Sequence, residues 1–148
     1  MTVARDLAGL SVLIVDDEAD LRLALRRLLE PTGAKVSTLD PLLHDRVFAE
    51  VSHWPHAVAF GLSAAIAGGD LAERALEFSG AGLRDTTRVG ASSPTMWADI
   101  LLDNREACLA SAARFRASNE AIVAALEAVD REALVAIFSA ASRWRSRL

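Results

Sequence analysis

The sequence predicts a mainly α chain that opens with one short β-α-β unit. Three observations carry this. Alanine is abundant and tyrosine is absent across 148 residues, which favours helix over sheet. A short apolar, β-branched run, 10–15, and a second strand over 34–39 flank a stretch whose leucines fall at helical spacing. From Asp40 onward, helix starts and helical spacings dominate.

The elements follow in order. Residues 10–15 (Leu-Ser-Val-Leu-Ile-Val) read as a buried strand. Asp16-Asp17-Glu18 closes it and can cap a helix, since acids suit helix starts. Over 19–30, Leu21, Leu25, Leu28 and Leu29 form an apolar stripe, with Arg22, Arg26 and Arg27 on the other side. Pro31 and Gly33 stop that helix, and 34–39 is the second strand, expected parallel with a right-handed crossover. Two strands are too few for an independent sheet. The unit therefore needs cover from the helical part, from a second copy or from further chain.

Asp40-Pro41 has the form of an N-cap followed by proline in the first turn. The helix over 57–67 is apolar almost all round, which in so short a chain points to a partner chain. Pro55 removes the backbone bond to Val51, so it should kink the helix and free a carbonyl beside His53 and His56. Gly68-Gly69-Asp70 breaks the helix, and Asp70 is expected to cap the next one, over 71–78. Residues 79–82 read as a flexible connection and 84–93 as a polar loop. Ser93-Pro94 starts a helix bearing Met96, Trp97, Ile100, Leu101 and Leu102. A long helix over about 104–129 follows, and Asp130 caps the last one, whose end carries Arg143, Arg145 and Arg147.

Composition narrows the function. The formal charge of −4 argues against a general nucleic-acid binder. No run of eighteen apolar residues suggests a membrane span, and the start lacks a signal-peptide pattern. The lone Cys108 excludes an internal disulfide and suits a reducing compartment, so the expected location is cytoplasmic. Of sixteen cations only Lys35 is a lysine; the arginines suit bidentate carboxylate pairing.

Three histidines, His44, His53 and His56, fall within thirteen residues, the last two on one helical face. Three roles are open to them. A metal site would need a third ligand, for which Glu50 is within reach. A structural role would bond one imidazole to Asp85 or to the carbonyl freed by Pro55. The third is contact with a substrate. No Ser-His-Asp or Cys-His arrangement stands out, so no catalytic residue is assigned, and no Gly-x-Gly-x-x-Gly follows a strand.

Two longer stretches carry a resemblance. One is Gly82-Leu83-Arg84-Asp85-Thr86-Thr87-Arg88-Val89, followed by Pro94-Thr95-Met96-Trp97-Ala98-Asp99-Ile100-Leu101-Leu102-Asp103-Asn104-Arg105-Glu106. The other is His44-Asp45-Arg46 with Ser52-His53-Trp54-Pro55-His56, in which Trp54 stands where a leucine is more usual. Together they resemble the C-terminal helical domain of the prephenate dehydrogenase family, which oxidatively decarboxylates prephenate in tyrosine biosynthesis. The resemblance implies a homodimer and part of a prephenate (or arogenate) site, with tyrosine a related ligand. It implies that Arg88 holds a substrate carboxylate, that His56 and His53 contact substrate, that Asp85 orients a histidine or Arg88, and that Trp97 walls the pocket. NAD or NADP belongs to a complete family member. None is expected on this chain, so dehydrogenase activity is not expected of it alone.

The start resembles something else. Val12-Leu13-Ile14-Val15-Asp16-Asp17-Glu18-Ala19-Asp20 looks like the opening of a response-regulator receiver, where an acidic pair holds magnesium. The receiver's phosphoacceptor aspartate has no counterpart in 51–57, and no lysine follows Lys35. Asp16 and Asp17 then read as a strand end and helix cap. The division expected is 1–39, a β-α-β segment left from a nucleotide-binding or receiver-like fold, and 40–148, an all-helical domain for dimerisation and substrate contact. The alternative is a receiver-derived signalling module, or a truncated or engineered chimera without activity.

Overall fold

The structure, a computed structural model, describes residues 7–148. Strand β1 (Ser11–Val15), helix α1 (Ala19–Leu29) and strand β2 (Lys35–Leu39) form the expected β-α-β unit. The strands pair in parallel, Ser11 with Lys35 through Val15 with Leu39. Asp16 does not cap α1 directly. Its Oδ1 accepts from the Glu18 N–H at 2.8 Å, and Arg22 donates to its carbonyl. Gly33, at φ 81°, makes the left-handed turn into β2 that a residue with a Cβ would resist.

The stripe on α1 is only half used. Leu25 and Leu29 are half-buried, whereas Leu21 is 41% and Leu28 70% exposed. Two strands offer α1 a narrow surface. The other face of the sheet, with Leu13 and Val15, is also exposed.

The helical part follows. It comprises α2 (Pro41–Phe48), a π-helical turn (Ala49–His53), α3 (Trp54–Ala67), α4 (Ala72–Glu77), α5 (Ala81–Thr87), a 3-10 turn (Arg88–Ala91), α6 (Pro94–Asp103), α7 (Arg105–Glu127) and α8 (Arg131–Arg145). The expected caps at Asp40 and Asp130 are present, and Ser93 adds a third. Asp40 accepts from Leu43 N–H at 3.0 Å, Asp130 from Ala133 N–H at 2.9 Å, and Ser93 more loosely from Met96 N–H at 3.4 Å.

Several expectations need correction. Asp70 does not cap α4; Leu71 occupies that position, with no side-chain bond. The connection over 79–82 and the loop over 84–93 are largely helical. Gly80 stands before α5, and Thr86 and Thr87 return their hydroxyls to the carbonyls of Gly82 and Leu83 at 2.7 Å each. The Pro55 disturbance takes the form of a π turn just before it. Helix α7 stops at Glu127, and Val129 takes φ 54°, an uncommon conformation for a β-branched residue.

The core is built from small residues. Ala49, Ala59, Ala112, Ala125, Ser111 and Cys108 are buried, so backbones approach closely, and Trp97 is the large side chain among them. Gly90 shows how closely: a Cβ there would lie 3.1 Å from the carbonyl carbon and oxygen of Ala59 in α3. Gly90→Ala presses its methyl against the α3 backbone. It is expected to cost about 1–3 kcal/mol, the usual range for overpacking, read as a lower urea midpoint at unchanged slope.

Candidate functional site

The histidines, 51 residues or fewer from every partner they meet, gather around one tryptophan. Trp97 is held on the first turns of α6 and is only 8% exposed. His56 stacks on it with ring centroids 3.6 Å apart and planes 19° apart. His53 meets it edge-on at 6.2 Å and 67°. Phe48 lies 6.3 Å from His53 and stacks on His44 at 4.2 Å. A line of rings thus runs from α2 through the π turn to α3 and α6. Such pairs add roughly 0.5–1.5 kcal/mol each beyond the area they bury.

Local backbone explains why the rings point together. His53 ends the π turn and His56 lies in the first turn of α3. The His56 Nδ1–H donates to the Ser52 carbonyl at 2.8 Å. A ring-to-carbonyl bond was among the expectations, but the acceptor is Ser52, one residue beyond the Val51 carbonyl that proline orphans. His53 Nδ1 lies 3.1 Å from the side-chain nitrogen of Asn104, which also reaches the Asp45 carbonyl at 2.7 Å. His44 pairs with Asp45 at 3.0 Å.

Burial pushes the His53 pKa below its ordinary 6.5; His44 and His56 push the same way, and Asp45 opposes them. Cys108, buried in α7, has its thiol pushed up by the same desolvation.

Of the five candidate residues, the structure brings three together: His53, His56 and Trp97. Arg88 and Asp85 are exposed on the other arm of the signature. Among the described residues Asp85 has no side-chain bond to a histidine or to Arg88, so the orienting role given to it is not made within one chain. The Arg88 guanidinium likewise has no protein partner among the described residues and is available to an anion. Its turn packs on α3, the helix that carries His56. Glu50, the third ligand that a metal would need, is paired with Arg114 instead. Among the described residues no group of three His, Cys, Asp or Glu side chains could hold a metal.

Sequence reasoning missed Asn104, which lies inside the signature but gives no periodic signal that it reaches His53. It also missed a groove of about 440 Å³ beside the π turn, lined by Trp54, Val58, Thr86, Arg114 and Phe115 among others. The indole N–H groups of Trp54 and Trp97 are buried with no acceptor among the described residues. An N–H left so costs about 1–3 kcal/mol and is a ready donor.

The turn between β1 and α1 is Asp16-Asp17-Glu18, whose charges would repel a dinucleotide's pyrophosphate, and no Gly-x-Gly-x-x-Gly follows a strand.

Residues 40–140 match the family described as prephenate dehydrogenase, dimerization domain. The chain is 31% identical over 121 residues to a cyclohexadienyl dehydrogenase of Zymomonas mobilis, covering 80% of this chain and 41% of that protein. It is 34% identical over 125 residues to a prephenate dehydrogenase of Bacillus subtilis, covering 84% of this chain and 34% of that protein. The chain thus spans well under half the length of these curated relatives. The crystal structure of an Aquifex aeolicus prephenate dehydrogenase in complex with hydroxyphenyl propionate and NAD+ superposes with a TM-score of 0.81 at 32% identity, covering 95% of this chain and 50% of that one. At that coverage the superposition extends beyond 40–148 and takes in most of the β-α-β unit.

Because the folded pKa of His53 is depressed, its contribution to stability depends on pH. The unfolded ring takes up a proton near pH 6.5, whereas the folded ring resists it, so the unfolded state binds more protons below that pH. Stability is therefore full above pH 6.5 and falls as pH drops through the folded pKa. Urea midpoints measured at pH 7.5 and pH 5 should show this loss, and His53→Gln should reduce the difference.

Proposed function

Since the chain belongs to the prephenate dehydrogenase family, matched over its dimerization domain, we propose that it is the dimer-forming and substrate-contacting part of a prephenate or arogenate dehydrogenase-like protein of tyrosine biosynthesis. The observation that carries the reading is the His56–Trp97 stack, flanked by His53, in the region where the family match and the superposition coincide. A half-buried imidazole face against an indole suits an aromatic or dienyl ring carrying a carboxylate. The ligand named for the Aquifex aeolicus structure, hydroxyphenyl propionate, has that chemistry.

In this reading Trp97 is the wall, His56 and His53 supply polar contacts, and Arg88 binds a ligand carboxylate through two parallel hydrogen bonds. Asp85 and Arg88 face solvent in one chain. A homodimer, as the family's description suggests, is what would bring further groups against them. Nucleic acid and membrane are not proposed as partners. No helix among the described residues is long and apolar enough to cross a membrane, and the proposed location is cytoplasmic.

The β-α-β segment, 1–39, is read as the last unit of a nucleotide-binding domain beside the helical domain, 40–148. Its inclusion in the superposition supports that origin over the receiver-like alternative. Hydride transfer needs a positioned nicotinamide, and no Gly-x-Gly-x-x-Gly fingerprint follows a strand in this sequence. Residues 1–148 alone are therefore proposed to bind ligand without turning it over.

Calorimetric titration with prephenate or hydroxyphenyl propionate tests this. Weak binding is expected, since only part of the pocket contributes. Arg88→Ala should cost roughly tenfold to a hundredfold in affinity, the equivalent of a charge-assisted hydrogen bond. Arg88→Lys should lose less, because an ammonium keeps the charge but not the fork. His56→Ala should weaken binding to a smaller degree, and Arg147→Ala should leave it unchanged. Equal binding by Arg88→Ala and the parent would remove Arg88 from the site.

A further inference from the structure

Asn104 stands at the junction of α6 and α7 and is fixed in both. Its N–H donates to the Ile100 carbonyl at 3.1 Å, and its own carbonyl accepts from Cys108 N–H at 3.0 Å. Its side chain crosses to the other arm of the site, where it meets the Asp45 carbonyl at 2.7 Å and His53 Nδ1 at 3.1 Å.

Hydrogen-bond chemistry leaves one arrangement. A backbone carbonyl only accepts, so the amide group facing Asp45 must be the NH2. That group has two hydrogens, and the second is directed at His53 Nδ1. A donor can be met there only by a bare lone pair, so the ring hydrogen of neutral His53 resides on Nε2. His56 is constrained the other way. Its Nδ1 faces the Ser52 carbonyl, so that nitrogen carries the hydrogen and, in the neutral ring, Nε2 is bare. The two rings that meet Trp97 therefore hold opposite tautomers.

We propose that Asn104 is a positioning residue of the Trp97 site: by bridging the Asp45 carbonyl and His53 Nδ1, it holds His53 as an Nε2–H donor beside a His56 that is an Nε2 acceptor. This rests on the functional reading above, and it adds what the site offers a ligand. An aryl carboxylate bearing a hydroxyl has both acceptor oxygens and an O–H donor, and this pair of tautomers complements both without an extra charge. Protonating His53 would set an N–H against the amide N–H, so the bridge also favours the neutral ring.

Only three histidines are present, so protein labelled with 15N-histidine gives three ring patterns, each assigned by one His→Gln substitution. Long-range proton–nitrogen spectra at pH 8 should show His53 as the Nε2–H tautomer and His56 as Nδ1–H. Asn104→Asp can accept from the ring but not donate, so His53 should switch to Nδ1–H while His56 keeps its pattern. Asn104→Ala should give a mixed His53 pattern, and serves if the aspartate variant fails to fold. A purely structural role for Asn104 would not move the tautomer. His53 found as Nδ1–H in the parent, or unchanged in both variants, overturns the proposal.

Titration with hydroxyphenyl propionate is the second arm. Asn104→Asp should bind roughly tenfold more weakly or worse, as expected for loss of one well-placed hydrogen bond. Undiminished affinity after a tautomer switch overturns the positioning role. Absence of binding by the parent at millimolar probe overturns the functional reading instead, and the spectra still decide whether Asn104 sets the tautomer.

Discussion

The constraint behind this molecule is that one copy cannot bury its own apolar side chains. The chain is 52% apolar, yet among the described residues no large side chain is fully buried. Apart from Trp97 and Ile14, what it buries is small: chiefly the alanines, Cys108 and Ser111 of α3, α7 and the π turn. Small residues let backbones approach but leave the large side chains outside. Leu62 on α3, Leu71, Leu76 and Phe78 around α4, and Phe115, Val123, Leu126 and Phe138 on α7 and α8 are all exposed. Single exposed leucines are ordinary, but a helix apolar on every side that is exposed at Gly61, Leu62, Ala64, Ala65 and Ala67 is not. A second copy of a dimerization domain is the cover that this surface suits.

The site depends on the same economy of space. Pro55 cannot donate to the helix, the chain widens into a π turn before it, and that turn brings His56 onto the face of Trp97 and His53 against it edge-on. Asn104 fastens the turn's end to the α6–α7 junction and to α2. A deviation in one helix is thus held by a polar bridge from two others. Irregular backbone of this kind recurs at functional sites because it costs stability and needs a surrounding structure to maintain it.

Much of this was readable in the sequence. The β-α-β unit, the caps at Asp40 and Asp130, a helix disturbed at Pro55 and the two family signatures are local patterns, and local patterns are what a sequence displays. The misreadings share a cause. Gly80 and Gly82 signal a flexible connection over 79–82 and the polar residues a loop over 84–93, yet α5 forms there, with the hydroxyls of Thr86 and Thr87 turned back to carbonyls four residues earlier instead of breaking it. Asp70 had the right chemistry for a cap, but the chain turned one residue too late for it. The Asn104–His53 bond joins residues 51 apart, and no periodicity encodes it. The partner groups around Asp85 and Arg88 are further out of reach, since they would come from another chain or another segment.

Sedimentation equilibrium of the unmodified chain tests the account most directly, because the proposed dimer is what would cover the exposed apolar face and bring further groups to Asp85 and Arg88. At micromolar concentration the account predicts a species of twice the 15.8 kDa chain mass, with an interface above ~2,000 Å² that holds it together on dilution. A stable 15.8 kDa monomer at that concentration would contradict it.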